Sequence, residues 1–396
     1  MKNVLLVFGG ESYEHDISIV TAMQVFQNVN LSEVRLIPLY VSRENKLFLY
    51  ESKKWKLDDF AASKFSAKNK NFKAVEFVYG EKNKLFIRSV FGLKEYLWAD
   101  VAVFACHGGI GENGELVSCF KRMNIAVTAG SVEGLGICMN KFLFKQVMKG
   151  LKVPVVKGFK ISSTEFFDKN KRQIVDLKLR LLSFPVVVKA NCGGSSIGVF
   201  VAKDEVEFEE CVKQAFEFDE TVIVERFVKN AREFNVAVIG CGEKFEVSEI
   251  DEPLKNEEVL TFADKYLKGG KSHKGSKVQV GAMDGIKKKF PADISVELAE
   301  KIKFYAGRIF KDLNLCGVVR IDFLYNEAND RLFVCEANAI PGSLAYYFFN
   351  RGRVVIDDFV LKLIDIAEES LEKSKHFNKE FVTDILGWIF DSLFLR

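Results

Sequence analysis

The chain has 396 residues, 48% hydrophobic and 28% charged, a globular mix with material for two to four domains at roughly 100–200 residues each. A peptide hormone, a disulfide knot and a disordered chain are excluded. With 57 Lys+Arg against 54 Asp+Glu, the net charge of +3 supplies no general pull toward nucleic acid or a membrane surface, and neither is an expected partner.

Asn3 to Phe8 is a continuous apolar run closed by Gly9-Gly10, and Ile17 to Val25 shows helical spacing, so the chain opens strand, glycine turn, helix. An α/β nucleotide-type domain begins in this way. Arg35 to Tyr40 predicts a second strand, and residues 42–90, lysine-rich and aromatic with poor periodicity, read as a decorated insertion holding short strands. Val101 to Cys106 predicts a buried strand feeding His107-Gly-Gly-Ile-Gly-Glu-Asn-Gly114, with a helix over Glu115 to Met123. The first domain is expected to span 1–139. Lys141 to Gly150 predicts a helix, and strands are expected at Phe184 to Lys189, Val199 to Ala202 and Thr221 to Phe227, around a helix over Val206 to Phe218. A second unit over 140–230 follows. The third, 231–396, passes a polar stretch from Asp251 to Ser276, a helix over Ser295 to Leu313 and strand-like runs over Gly317 to Asn338, then a helical tail. Its apolar end, Phe381 to Leu395, is expected to pack into a core.

The eight cysteines form no C-x-x-C pair and read as reduced core thiols. Val4 to Phe8 is too short for a signal peptide, and nowhere do about 18 apolar residues run together, so a cytoplasmic location is expected.

Two motifs are weaker than they look. Gly109-x-Gly111-x-x-Gly114 fits the dinucleotide fingerprint, but Glu112 would place a carboxylate where a pyrophosphate should sit. Gly270-Lys271-Ser272 ends like a Walker A loop, but the required upstream glycine is Lys265.

Gly317-Val-Val-Arg-Ile-Asp-Phe-Leu-Tyr-Asn326 and Arg331-Leu-Phe-Val-Cys-Glu-Ala-Asn338 read as a hairpin. With the loop centred on Asn329, period two places Asp322 opposite Glu336 and Arg320 opposite Asn338. Opposed carboxylates repel and call for a cation, and this all-oxygen donor set suits magnesium with phosphates. The competing reading is a solvated polar face on which Arg320 pairs with Asp322. Histidines 15, 107, 273 and 376 share no metal-ligand spacing. Upstream, Lys189 ends a strand and Gly193-Gly-Ser-Ser-Ile-Gly198 offers amide and hydroxyl donors that could close over phosphates; an ordinary glycine hairpin is the alternative. Lys141 could add a second cation, and Val222-Ile-Val-Glu225-Arg-Phe-Val228 could flank a flat base.

In this order the pieces resemble the ATP-grasp ligases, and in detail the D-alanine–D-alanine ligase family, from residue 3 to about 365. The most specific segments are Gly9-Gly-Glu-Ser-Tyr-Glu-His-Asp-Ile-Ser18, His107 to Gly114, Lys189 with Gly194-Ser-Ser-Ile-Gly198, Lys265-Tyr266, Gly317 to Asp322, and Glu336-Ala-Asn-Ala-Ile-Pro-Gly342. The resemblance implies a three-domain α/β fold of α+β multidomain type: an N-terminal open parallel-sheet substrate domain, a central ATP-grasp subdomain and a C-terminal ATP-grasp catalytic domain. It implies that ATP joins two D-alanines through an acyl phosphate for peptidoglycan precursor synthesis, releasing ADP and phosphate.

Carried over by motif, Lys141, Lys189 and Ser196 belong to the ATP site, Glu225, Arg226, Phe227 and Val228 contact adenine, and Glu233 meets the ribose. Asp322, Glu336 and Asn338 would ligate two Mg2+ or Mn2+ ions. Glu14 would bind the first D-alanine's ammonium, Ser195 and Tyr266 would order the site with it, and Arg320 with the Gly342 amide would stabilise the oxyanion. A homodimer is the expected assembly. The chain departs from the family at Ser343-Leu-Ala-Tyr-Tyr-Phe348, where Ser343 or a tyrosine hydroxyl could substitute for the small hydroxyl residue that holds the second substrate's carboxylate, and at Asn191-Cys192-Gly193. D-alanine–D-lactate ligation or another carboxylate–amine ligation is the alternative within the class. A nucleotide-binding regulator without turnover is the alternative outside it.

Overall fold

The computed structural model describes residues 1–254, 288–349 and 355–376. Tyr266, Lys265, the tail helix expected at Phe381 to Leu395 and most of the polar stretch after Asp251 lie outside the described residues.

The first unit runs β1 (Lys2–Gly9), α1 (His15–Asn28), β2 (Val34–Val41), β3 (Leu47–Tyr50), β4 (Phe72–Val75), β5 (Lys84–Ser89), β6 (Gly92–Trp98), β7 (Val101–Phe104), α2 (Gly109–Glu112), α3 (Glu115–Arg122) and β8 (Ala126–Val127). Six strands make one sheet in the order β4-β3-β2-β1-β7-β8, parallel from β2 to β8 with β3 and β4 antiparallel at the edge. Val4 to Phe8 is buried on both faces, as a central parallel strand must be, which explains its unbroken apolar sequence. The insertion does contain short strands. It also runs past residue 90, because β5 finds its partner in β6; Leu93, Tyr96 and Trp98 are exposed there, so that strand shows no amphipathic alternation.

Gly9 ends β1 in the left-handed region, where a Cβ would lie 2.2 Å from Val41 O, so only glycine lets the chain turn off the sheet at this point. β1 and β7 are parallel neighbours. Their carboxyl ends therefore open side by side, and the segments at Glu14 and His107 share one crevice.

α4 (Val132–Met139) and α5 (Lys141–Gly150) lead to a four-stranded antiparallel sheet, β11-β10-β12-β9. It is built from β9 (Gly158–Ser162), α6 (Ser163–Phe167), α7 (Lys169–Arg180), β10 (Val186–Ala190), β11 (Val199–Ala202), α8 (Glu205–Ala215) and β12 (Thr221–Arg226). Val186, Val188, Val222 and Val224 pack on Val175 and Leu179 of α7 and on Phe208 and Val212 of α8, forming a core of their own. Period two sends Lys189 and Glu225 to the opposite face.

The third unit is β13 (Arg232–Cys241), β14 (Lys244–Pro253), β15 (Lys288–Lys289), α9 (Val296–Asp312), β16 (Cys316–Asn326), β17 (Arg331–Asn338), a 3-10 turn over Gly342–Phe348 and α10 (Ile356–Lys375). Its sheet order is β15-β14-β13-β16-β17. Ser295 caps α9 by accepting from Leu298 N (3.2 Å). The first and third units share two continuous cores, one joining Leu5, Val7 and Phe104 to Phe234, Ile309 and Ile321, the other joining Val4, Leu6 and Phe8 to Ala237, Val318 and Phe359. Of the cysteines, Cys106, Cys138 and Cys316 are buried, Cys119 and Cys192 are exposed, and all eight are free thiols. The core-thiol expectation holds for only part of the set. Among the described residues no helix is long and apolar enough to cross a membrane.

Candidate active site

The crevice of the first sheet supplies one wall. Glu14 stands at the start of α1 with its N–H donated to Ser12 Oγ (2.9 Å), and its carboxylate accepts from the Ser195 hydroxyl. Ser195 and Ser196 are both left-handed (φ 50° and 61°), folding the glycine–serine loop over Glu14. A Cβ on Gly194 would lie 2.1 Å from Glu14 Oε2, so the contact depends on glycine.

The Ile340-Pro341-Gly342 turn is fastened to the same wall through groups more than 200 residues away. Ile340 O accepts from His107 Nδ1 (2.7 Å), and Ile340 N donates to Glu112 Oε1 (3.1 Å), whose Oε2 accepts from Gly108 N (3.0 Å). A carbonyl can only accept, so His107 carries its proton on Nδ1. Nε2 then accepts from the Thr21 hydroxyl (2.8 Å), and Thr21 Oγ1 in turn accepts from Ser343 N (3.2 Å). Burial pushes the His107 imidazole below its ordinary value, in keeping with this neutral tautomer. Burial, with the charge of Glu14 adding, pushes the Glu112 carboxyl up to about 7. The Ser343 hydroxyl donates to Gln24 Oε1 (2.8 Å), and Lys288 lies over the Tyr347 ring (4.0 Å). Ser343 to Ala345 all lie at φ near 50°.

The hairpin supplies the opposite wall with the expected register, Asp322 opposite Glu336 and Arg320 opposite Asn338. The pairing slips by one residue between Asp322 and Phe323, leaving Cys335 as a bulge, which re-aims the end of β17. Arg320 does pair with Asp322, through Nε–Oδ1 (2.7 Å) and Nη2–Oδ2 (2.8 Å), but both side chains are buried, not on a solvated face. Asn338 Nδ2 donates to Asp322 Oδ2 (3.0 Å), and the Asn235 amide nitrogen donates to Oδ1 (3.1 Å). Four donors fill the four acceptor positions of this carboxylate.

The donor types fit a hard cation: Glu336 is only partly buried, and Asn338 keeps its amide oxygen for a ligand. Asp322 is of the same donor type, with its acceptor positions taken here by Arg320, Asn338 and Asn235. Among the described residues no cluster of three His, Cys, Asp or Glu is arranged to hold a metal by itself.

Lys141 donates to Gly193 O and lies 3.8 Å from Glu336 Oε2, bridging the loop and the hairpin. Asn191 anchors the same junction: its carbonyl accepts from Lys141 N (3.0 Å) and its Oδ1 from Phe142 N (2.9 Å). Lys189 Nζ lies 2.8 Å from Glu225 Oε2, and Lys145 Nζ 2.6 Å from Glu225 Oε1. The Glu225 carboxylate is therefore clamped between two lysines, not free to meet a base with its side chain. Burial alone would raise it, but Lys145 and Lys189 outweigh burial and hold it down at about 2. The Arg226 guanidinium is exposed and turned to Leu182 O (3.3 Å), whereas Phe227 and Val228 are half-buried beyond the strand end. Glu233 lies on β13 opposite Leu324.

Glu14, Lys141, Ser195, Arg320, Glu336, Asn338 and Gly342 thus line one cleft, together with His107 and Glu112. Lys189, Ser196, Glu225 to Val228 and Glu233 do not line it. The sequence reading missed Lys145, His107, Thr21 and Glu112 as site residues. Lys145 left a signal, one helical turn after Lys141 and so on the same face of α5, and His107 and Glu112 lie inside a segment that carries the resemblance, without a role being assigned to either.

Family models for the D-ala D-ala ligase N-terminus and C-terminus match residues 3–130 and 147–352. A D-alanine–D-alanine ligase of Campylobacter lari is 32% identical over 382 residues, covering 96% of this chain and 97% of the relative. The chain belongs to the D-alanine–D-alanine ligase family. A second relative of the same name, from Thermosipho melanesiensis, is 31% identical across 95% of this chain and 96% of its own length. The crystal structure of the Helicobacter pylori ligase matches at a TM-score of 0.70 and 25% identity, covering 93% of this chain and 98% of that one. Among the described residues, the six-, four- and five-stranded sheets of the ligase are those of the ATP-grasp fold.

Proposed function

We propose that this ligase activates the carboxylate of one D-alanine with ATP and passes the acyl group to the amine of a second, giving the dipeptide for peptidoglycan precursors with ADP and phosphate. One observation carries the reading: Glu14, Arg320 and the Gly342 amide, from three distant segments, face one cleft that Lys141 and the glycine–serine loop also border. A carboxylate is a poor acyl donor, and converting it to an acyl phosphate demands charge neutralisation and alignment more than a protein nucleophile.

Glu14, oriented by Ser195, receives the ammonium of the first D-alanine. The Gly342 N–H and the Arg320 guanidinium stabilise the oxyanion, with Arg320 exchanging Asp322 for substrate. Lys141 and Lys189 neutralise phosphate charge, Lys189 kept in place by Glu225, while the backbone of residues 226–228 reads the base edge and Glu233 meets the ribose. Asp322, Glu336 and Asn338 would hold two divalent cations, whose chemistry is to shield the transferring phosphoryl group. Tyr266 joins Ser195 and Glu14 in this reading on its motif alone. Division at residues 139 and 230, a cytoplasmic location and a homodimer complete the proposal.

The test is ATP-dependent phosphate release with D-alanine, with L-alanine and with D-alanine plus D-lactate. Release with D-alanine alone, and a dipeptide by mass spectrometry, is expected. A depsipeptide as the main product would move the chain to the lactate-using class, and no release with any of them would remove the ligase reading.

A further inference from the structure

β13 ends and β16 begins on a facing pair of thiols, Cys241 and Cys316, that the carboxylate chemistry does not use. The adjoining pair is Gly242 and Leu315, joined by a hydrogen bond from Gly242 N to Leu315 O (3.3 Å). Hydrogen-bonded and open pairs alternate along an antiparallel ladder, so Cys241 and Cys316 form an open pair, the kind with Cα atoms about 4.5 Å apart and side chains closest. A disulfide accepts Cα separations of about 4.4–6.8 Å, so the sulfurs can bond without moving either strand.

Both thiols are free, and each shares its electrostatic surroundings with the other and with Ser370 on α10. Cys241 is half-buried and Cys316 is buried behind it. Proximity to the Cys316 thiol, helped by Ser370 and the charges of Lys373 and Lys121, outweighs burial and holds the Cys241 thiol below its ordinary value. One sulfur is thus set up as the nucleophile and the other as its resolving partner.

We propose that Cys241 and Cys316 are a site of reversible modification by hydrogen peroxide, closing to a disulfide. The Cys241 sulfur attacks one peroxide oxygen, the O–O bond breaks, and a sulfenic acid forms as water leaves. Cys316 then attacks the Cys241 sulfur; the S–S bond forms, the S–O bond breaks, and the Cys316 proton leaves with the hydroxide as a second water. Two thiols lose two electrons, and one peroxide becomes two waters. The bridge ties β13 to β16 a few residues before Arg320 and Asp322, beside Gly317, where a Cβ would lie 2.3 Å from Thr128 O.

The full chain is treated with a few equivalents of hydrogen peroxide, alkylated, digested and analysed by mass spectrometry. A linked peptide containing Cys241 and Cys316, formed before any other pairing and opened by dithiothreitol, is expected. In Cys316→Ala, dimedone should trap a sulfenic acid at Cys241. The wild-type arm is decisive even if that variant folds poorly: oxidation of the exposed Cys119 and Cys192 with no Cys241–Cys316 linkage, or linkage only after unfolding in urea, overturns the proposal.

Discussion

Glu225→Gln removes the charge that holds two lysines at the back of the central sheet. The carboxylate lies 2.6 Å from Lys145 Nζ and 2.8 Å from Lys189 Nζ, and the side chains of Glu225 and Lys145 are 3% and 4% exposed. Breaking a buried pair by deleting one partner costs roughly 3–5 kcal/mol, because the stranded charge stays buried. Two cations are stranded here, but Lys189 is the more exposed of them, so a loss of about 4 kcal/mol is expected. Hydrogen exchange of the β10 and β12 amides reads this locally and should accelerate by up to about a thousandfold. Lys145→Met added to Glu225→Gln removes one stranded cation and should recover part of the protection. The KM for ATP should rise in both variants as Lys189 loses its anchor. The sign with pH is fixed too: the Glu225 carboxyl is held below its ordinary value, so its stabilisation is complete above pH about 4.5 and is lost as pH falls toward 2. Exchange rates within threefold of wild type, with an unchanged KM for ATP, would refute the clamp.

Glu336→Gln should lower turnover at least a hundredfold at ordinary magnesium and shift Tm little, since this carboxylate is partly exposed and its lysine partner stands 3.8 Å away; full activity would remove it from the cation site. Gly194→Ala drives a methyl group to within 2.1 Å of Glu14 Oε2, and the displaced carboxylate should raise KM for D-alanine tenfold or more while circular dichroism stays unchanged. The Glu112 carboxyl is raised by burial to about 7, so wild type loses stability relative to Glu112→Gln as pH rises from 5 to 8; parallel denaturation profiles would contradict that environment.

Asp322 faces Glu336 as expected, but strand periodicity alone does not produce it: the loop-end pairs, such as Asn326 with Arg331, centre the loop between 328 and 329 and would bring Cys335 opposite Asp322 if the ladder ran unbroken. The bulge at Cys335 was not legible in the sequence, since one extra residue in a ladder leaves no mark on hydrophobic alternation. α5 matched its expected bounds, Lys141–Gly150, because Asn140 caps it and its apolar face repeats at helical spacing. Strand β9 and helix α7 left little signal: Gly158–Ser162 is short, and Lys169–Arg180 is half charged and buries only Val175 and Leu179. The roles of His107 and Glu112 are tertiary facts. Their partner is Ile340, and nothing in either local sequence names it. The same limit explains Glu225, whose place in a motif suggested contact with a base while Lys145, remote in sequence, decided where its charge is spent.

Activation of a carboxylate through an acyl phosphate leaves a mark on the phosphate released. D-alanine carrying 18O in its carboxyl group tests it directly, with the released phosphate analysed by mass spectrometry. One labelled oxygen in each inorganic phosphate is expected, together with ADP. Unlabelled phosphate, or label appearing in AMP, would contradict activation through an acyl phosphate.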